Sequence, residues 1–196
     1  MQLYPLFLKL AGRKVLVVGG GPVATAKVAA LREASAEITV VSPAVEPALA
    51  DLAAAGKIAL ARRSFEAADL GDAWLVVAAA TPNVNREVAA AAESRRLFVL
   101  AVDDPSAASA FGAGTLRRGG VTVAVSTDGR APALAGLLRE GLEAVLPEDL
   151  EAWTAEAEAQ RARWRAGGVP MTERRPLLLD ALNAIYDGKK NGKVAP

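Results

Sequence analysis

Hydrophobic positions along this chain come in short bursts whose spacing alternates between two periods. Lys14–Val18 (KVLVV) is a β-branched run stopped by Gly19-Gly20-Gly21, the pattern of a strand buried on both faces. From Pro22 to Ala34 the spacing becomes helical, with Val23, Ala26, Ala30 and Leu31 on one face. Ile38–Val41 reads as a second strand ended by Ser42-Pro43, and Pro47–Ala55 as a helix broken at Gly56. Ile58–Ala61 and the apolar run Trp74–Ala79 give a third and a fourth strand. Asn83 is the expected N-cap of a helix through Ala92, and Phe98–Val102 is the fifth strand. Strands alternating with helices of this length predict an α/β fold, a Rossmann-type parallel sheet with helices on both faces.

The pattern changes after Asp103-Asp104-Pro105. Thr115–Arg118 and Val121–Ser126 flank Gly119-Gly120 and predict a β-hairpin. Pro132 opens a helix that Pro147 closes, with Leu134, Leu137, Leu138, Leu142 and Val145 at helical spacing. So strong an apolar stripe on so small a module predicts an interface, with a dimer contact and an intramolecular core as the two readings. Helices at about Glu148–Arg165 and Thr172–Tyr186 follow, separated by Gly167-Gly168, and the polar tail from Gly188 is expected to be mobile. Residues 1–113 are thus expected to form a Rossmann domain, 114–147 a small α+β dimerisation region and 148–196 a helical domain.

Composition narrows the chemistry. Of 196 residues 52% are hydrophobic, enough for a packed core, yet no apolar run is long enough to span a bilayer. Met1–Leu10 lacks the basic and apolar regions of a signal peptide, so the expectation is a cytoplasmic protein with no membrane partner. Lys and Arg number 23 against 22 Asp and Glu, which argues against a nucleic-acid binder. There is no cysteine and no histidine, so no metal site is expected, and acid–base work falls to Asp, Glu, Lys, Tyr or backbone.

Gly19-Gly20-Gly21-Pro22-Val23-Ala24 fits G-x-G-x-x-A between a strand and a helix, the arrangement that binds a dinucleotide pyrophosphate. Gly19 permits the tight turn, Gly21 lets backbone approach the phosphates, and Ala24 keeps helix and strand close. The helix N-terminus then offers N–H groups to the anion. No acidic residue stands at the end of the second strand; Val41-Ser42-Pro43 occupies the position and Glu46 comes later. Two readings of Ser42-Pro43 stand, an ordinary turn and a wall for the adenosine ribose. Thr81 and Asn85, past the fourth strand, lie where ligands sit in doubly wound sheets; an Asn there serves equally as a helix cap.

Tyr4-Pro5-Leu6-Phe7-Leu8, the glycine loop with Lys27, Ala79-Ala80-Thr81 and Val102-Asp103-Asp104-Pro105 follow one another in order. Ala124-Val125-Ser126-Thr127, Pro132-Ala133-Leu134-Ala135 and Leu137-Leu138-Arg139-Glu140 continue the series. Together they resemble the precorrin-2 dehydrogenase/sirohydrochlorin ferrochelatase module of siroheme synthase, densely over residues 1–147 and more weakly beyond. The resemblance implies NAD-dependent oxidation of precorrin-2 to sirohydrochlorin, in some members ferrous iron insertion, and a homodimer built on the central region. It puts the family's critical aspartate on Asp103 and its NAD contacts on Pro22, Val23, Pro43 and Ala44. On residues alone Asp103-Asp104-Pro105 reads equally as a turn. Two departures lie beside the tetrapyrrole site: Leu100 replaces the usual Asn three residues before Asp103, and Ala110-Phe111-Gly112-Ala113 replaces a loop with Phe and then Pro three residues on.

A polycarboxylate substrate requires cationic or amide donors. Arg117, Arg118, Arg130 and Arg139 are candidates, each with the plainer reading of a solvated surface charge. Thr127-Asp128-Gly129 is either a backbone cradle for a carboxylate or a simple strand-to-helix turn. A reading from another class is a non-catalytic NAD-sensing module, which needs the glycine loop but not Asp103. A generic dehydrogenase is disfavoured by the lack of His and Cys, and Tyr186 and Lys190 match Tyr-x-x-x-Lys by chance in the polar tail.

Overall fold

Period-two alternation in β1 (Lys14–Val18) divides the core of the sheet. Val15 and Val17 turn to one face, Leu16 and Val18 to the other, and none of the four is more than 2% exposed. The structure, a computed structural model, describes residues 2–190. Among them β1 is joined by β2 (Glu37–Val41), β3 (Ala59–Ala61), β4 (Leu75–Ala78) and β5 (Phe98–Ala101) in a parallel sheet of order β3-β2-β1-β4-β5. Val18 pairs with Val41 on one side and Ala78 on the other, so these three strands end level. Helices α1 (Pro22–Glu33) and α2 (Pro47–Ala54) cover one face through Ala24, Val28, Leu31 and Leu49. Helix α3 (Pro82–Glu93) and a 3-10 turn at Ala67–Leu70 cover the other through Val88, Ala92 and Leu70. Chain order reverses between β1 and β4, which opens a crevice at the carboxyl edge.

The chain folds as two compact units. One holds the sheet and runs to Gly112, with Asp128–Arg130 returning to it; the other holds Ala113–Thr127 and the chain from Ala131 onward. In the second, β6 (Gly114–Arg118) and β7 (Val121–Val125) form an antiparallel hairpin whose turn residues Gly119 and Gly120 both have positive φ. Helix α4 (Pro132–Val145) buries Ala135, while Leu134, Leu137, Leu138, Leu142 and Val145 are 38–75% exposed. Helix α5 (Leu150–Ala166) meets α6 (Met171–Lys190) where Trp153 and Tyr186 stack edge to face, ring centroids 5.9 Å apart.

Two expectations are corrected, and one element went unforeseen. Helix α3 starts at Pro82 with Thr81 as N-cap residue, so Asn83 lies inside the first turn, where its Oδ1 accepts a hydrogen bond from Arg86. Proline at the first helical position moves the boundary back by fixing φ where an N–H is not needed. Helix α6 runs through Gly188 to Lys190, and the remainder of the expected mobile tail lies outside the described residues. The 3-10 turn at Ala67–Leu70 has no apolar period to announce it; Asp69 accepts from the Glu66 N–H and from Arg63, holding Leu70 in the core. No helix among the described residues is long and apolar enough to cross a membrane.

Candidate dinucleotide and acid–base site

The cleft begins with contacts that only glycine tolerates. Gly19 takes φ +125°, and a Cβ there would lie 2.1 Å from the Ala79 carbonyl oxygen. A Cβ on Gly20 would lie 2.1 Å from the Ala44 carbonyl oxygen, and the Glu46 N–H donates to the Gly20 carbonyl at 2.8 Å. The loop after β2 is thereby tied to the loop after β1. Gly21 differs: nothing lies within 4 Å of its missing Cβ. It precedes Pro22 as N-cap of α1 without any side-chain cap, so the first N–H groups of the helix keep their donors for a ligand.

These loops enclose a cleft of about 600 Å³ at the carboxyl ends of β1, β2 and β4. Its lining includes Gly19, Gly20 and Gly21, then Ser42, Pro43, Ala44 and Glu46, and opposite them Phe65, Ala79, Ala80, Thr81 and Val84. An open anion-binding helix end above a mostly apolar cleft fits a dinucleotide, the pyrophosphate over Gly21 and α1.

Of the expected cofactor contacts, Gly19, Gly21, Ser42, Pro43, Ala44 and Thr81 line the cleft, and Pro22 and Val23 are exposed at the start of α1. Ser42 is 8% exposed, and its hydroxyl donates to the Ala44 carbonyl at 2.7 Å, which shapes the loop. Asn85 lies beneath the lining with its amide bonded to backbone just past the ends of β4 and β5: Oδ1 accepts from the Ala80 N–H at 2.9 Å and Nδ2 donates to the Val102 carbonyl at 3.3 Å. Two residues escaped the sequence reading. Gly20 left no signal beyond being the middle of three glycines, because its neighbour Ala44 is distant in sequence. Glu46, set aside as too late, is the one carboxylate lining the cleft among the described residues, because the loop folds back onto Gly20.

β5 ends beside this wall. The Val102 N–H donates to Ala78 at 2.9 Å, and Asp103 follows at φ +58°, exposed, its carboxylate making no hydrogen bond or ion pair among the described residues. Asp104 is differently engaged. Its Oδ1 accepts from the Ser106 hydroxyl and from the Ser106 and Ala107 N–H groups, and the Ser106 hydroxyl bond above all holds its pKa below the usual carboxylate value. Ser109 Oγ accepts the Val99 N–H at 2.8 Å, folding the loop back on β5. Gly129 packs against Phe111 and Pro105, so Arg130, 3.6 Å from Asp128, shares the unit of Asp103. Lys27 reaches over Gly112, its Nζ 3.3 Å from where a Cβ there would stand. Leu100 packs against the core on the α1 face.

The remaining substrate candidates have local partners in the second unit. Arg118 donates to the Leu146 carbonyl at 2.8 Å at the end of α4, and Thr127 Oγ1 accepts the Ala131 N–H at 3.1 Å. Arg139 pairs with Glu143 at 2.8 Å and Glu140 at 3.2 Å.

Fold and glycine loop define a dinucleotide-binding protein of the Rossmann class. Residues 6–113 match the family described as "Putative NAD(P)-binding", and 118–144 match "Sirohaem biosynthesis protein central". The chain belongs to this NAD(P)-binding family. It is 45% identical over 176 residues to siroheme synthase 1 of Aeromonas salmonicida, covering 89% of this chain and 38% of the relative. Siroheme synthase of Sodalis glossinidius is 41% identical over 187 residues, covering 95% and 40%. The chain thus spans about two fifths of the length of these curated relatives. The structure of SirC, a precorrin-2 dehydrogenase, superposes with a TM-score of 0.70 at 26% identity, covering 91% of this chain and 88% of that one.

Proposed function

We propose that this chain catalyses the NAD-dependent oxidation of precorrin-2 to sirohydrochlorin, as a cytoplasmic homodimer. The observation that carries the reading is a juxtaposition at one sheet edge. An open dinucleotide loop follows β1, and the unpartnered carboxylate of Asp103 follows β5, with only β4 between them. The likeness to SirC over nearly the whole chain supplies the substrate.

The oxidation removes a hydride and a proton from the macrocycle. NAD, when bound, accepts the hydride. The glycine loop and the start of α1 hold the pyrophosphate, and the Ser42–Glu46 loop bounds the adenosine ribose. Asp103 takes the proton onto its carboxylate and releases it to solvent, to which it is exposed. Arg130 offers a cation to a substrate carboxylate. The exposed leucine face of α4 supports the dimer, since so continuous an apolar surface is seldom left to water.

Anaerobic incubation with precorrin-2 and NAD tests the activity. The expected result is the sirohydrochlorin spectrum with an equal amount of NADH. NAD binding without any NADH formation overturns the activity and favours a sensing module.

A further inference from the structure

We infer that Asn85 is a positioning residue, which locks the Asp103 turn in register with the cofactor-facing end of β4; the inference rests on the activity proposed above. β4 and β5 pair as far as Ala78 and Ala101, and the last rung is the Val102 N–H on the Ala78 carbonyl. Beyond it β4 leads into α3 while β5 turns at Asp103, and the backbones no longer reach one another. The Asn85 amide fills that gap. It accepts from the Ala80 N–H and donates to the Val102 carbonyl, the two bonds a backbone peptide would make in the next rung. At 2% exposure the amide has little access to water, so each bond lost leaves a poorly solvated backbone group unpaired.

Both ends of this bridge matter. Ala80 and Thr81 line the cleft, and the Asn85 N–H is fixed on the Thr81 carbonyl at 2.8 Å. Val102 directly precedes Asp103, which turns the chain at φ +58°, a left-handed conformation that aspartate adopts more readily than most non-glycine residues. A single side chain thus sets the distance between the wall that faces the nicotinamide end of the cofactor and the carboxylate that takes the proton. Asn85 touches neither cofactor nor substrate in this role; it acts through Ala80 and Val102.

Asn85→Ala in the full chain tests the inference by two independent readouts. In the chain alone, hydrogen exchange at the Val102 amide, which donates to the Ala78 carbonyl beside the bridge, should accelerate about tenfold, the loss of roughly one hydrogen bond, while Val17 and Val77 in the sheet keep their protection. In turnover of precorrin-2, kcat should fall by about a hundredfold with KM and NAD affinity changed only a few-fold, because misplacement of a reacting group costs rate before binding. Asn85→Asp, which keeps the volume and the acceptor for Ala80 and removes the donor to Val102, carries the same expectation if the alanine variant does not fold. Unchanged exchange at Val102 overturns the inference, and so does a loss confined to NAD affinity, which would make Asn85 a cofactor contact. Because the exchange readout needs no substrate, failure of the unmodified chain to oxidise precorrin-2 overturns the proposed activity and leaves the clamp to be decided by exchange.

Discussion

Gly20 lies so close to Ala44 that a Cβ on it would sit 2.1 Å from the Ala44 carbonyl oxygen, whereas nothing lies within 4 Å of the corresponding position on Gly21. Adjacent glycines therefore serve opposite purposes, one packed by the protein and one left open for a ligand. Gly20→Ala should force the two loops apart and destabilise the chain by about 1–3 kcal/mol, read as a lower Tm. Gly21→Asp should keep the Tm and lose NAD affinity more than tenfold, about 1.4 kcal/mol or more, in titration calorimetry. Unchanged NAD affinity in Gly21→Asp contradicts the glycine-loop assignment.

In the proposed binding mode the Glu46 carboxylate, which lines the cleft, stands at the ribose end, where it would favour a free 2′-hydroxyl and repel a 2′-phosphate. Glu46→Lys should shift the ratio of NADP to NAD affinity toward NADP by about tenfold, ~1.4 kcal/mol, in the same titration. A ratio unmoved by the substitution removes Glu46 from the ribose site.

Local pattern carried much of the fold. β-branched runs such as Lys14–Val18, the proline at the start of each of α1 to α4 and the glycine turn at Gly119-Gly120 are short-range signals, and each element formed within a few residues of its expected bounds. The cleft was half legible. Gly19 and Gly21 follow from the strand–loop–helix arrangement and Ala44 only from the family resemblance, but the packing of Gly20 and the return of Glu46 depend on a contact between two loops, which no window of sequence contains. Asn85 shows the same limit. Its place past β4 was readable, while its role depends on Val102, brought alongside by the sheet. Arg118 could not be told from a ligand-binding cation, because its partner is the Leu146 carbonyl and main-chain acceptors leave no trace in sequence.

The exposed face of α4 leads to a prediction about assembly. Leu137 is 66% exposed and Val145 75%, although both sit on the apolar stripe. Leu137→Glu should convert a dimer to monomer in light scattering at micromolar concentration, with helix content retained. A monomeric unmodified chain at that concentration contradicts the dimer.

Asp103 is the centre of the proposed chemistry, and Asp103→Asn isolates it, since the amide keeps the shape and hydrogen-bonding reach of the side chain but cannot serve as the base. The decisive measurement is the rate of NADH appearance when precorrin-2 and NAD are mixed anaerobically with the unmodified chain and with Asp103→Asn. The expected result is a fall of ~10²-fold or more in the variant, with NAD affinity held within a few-fold. Near-full turnover by Asp103→Asn would contradict the assignment and leave the proton to solvent or to another group.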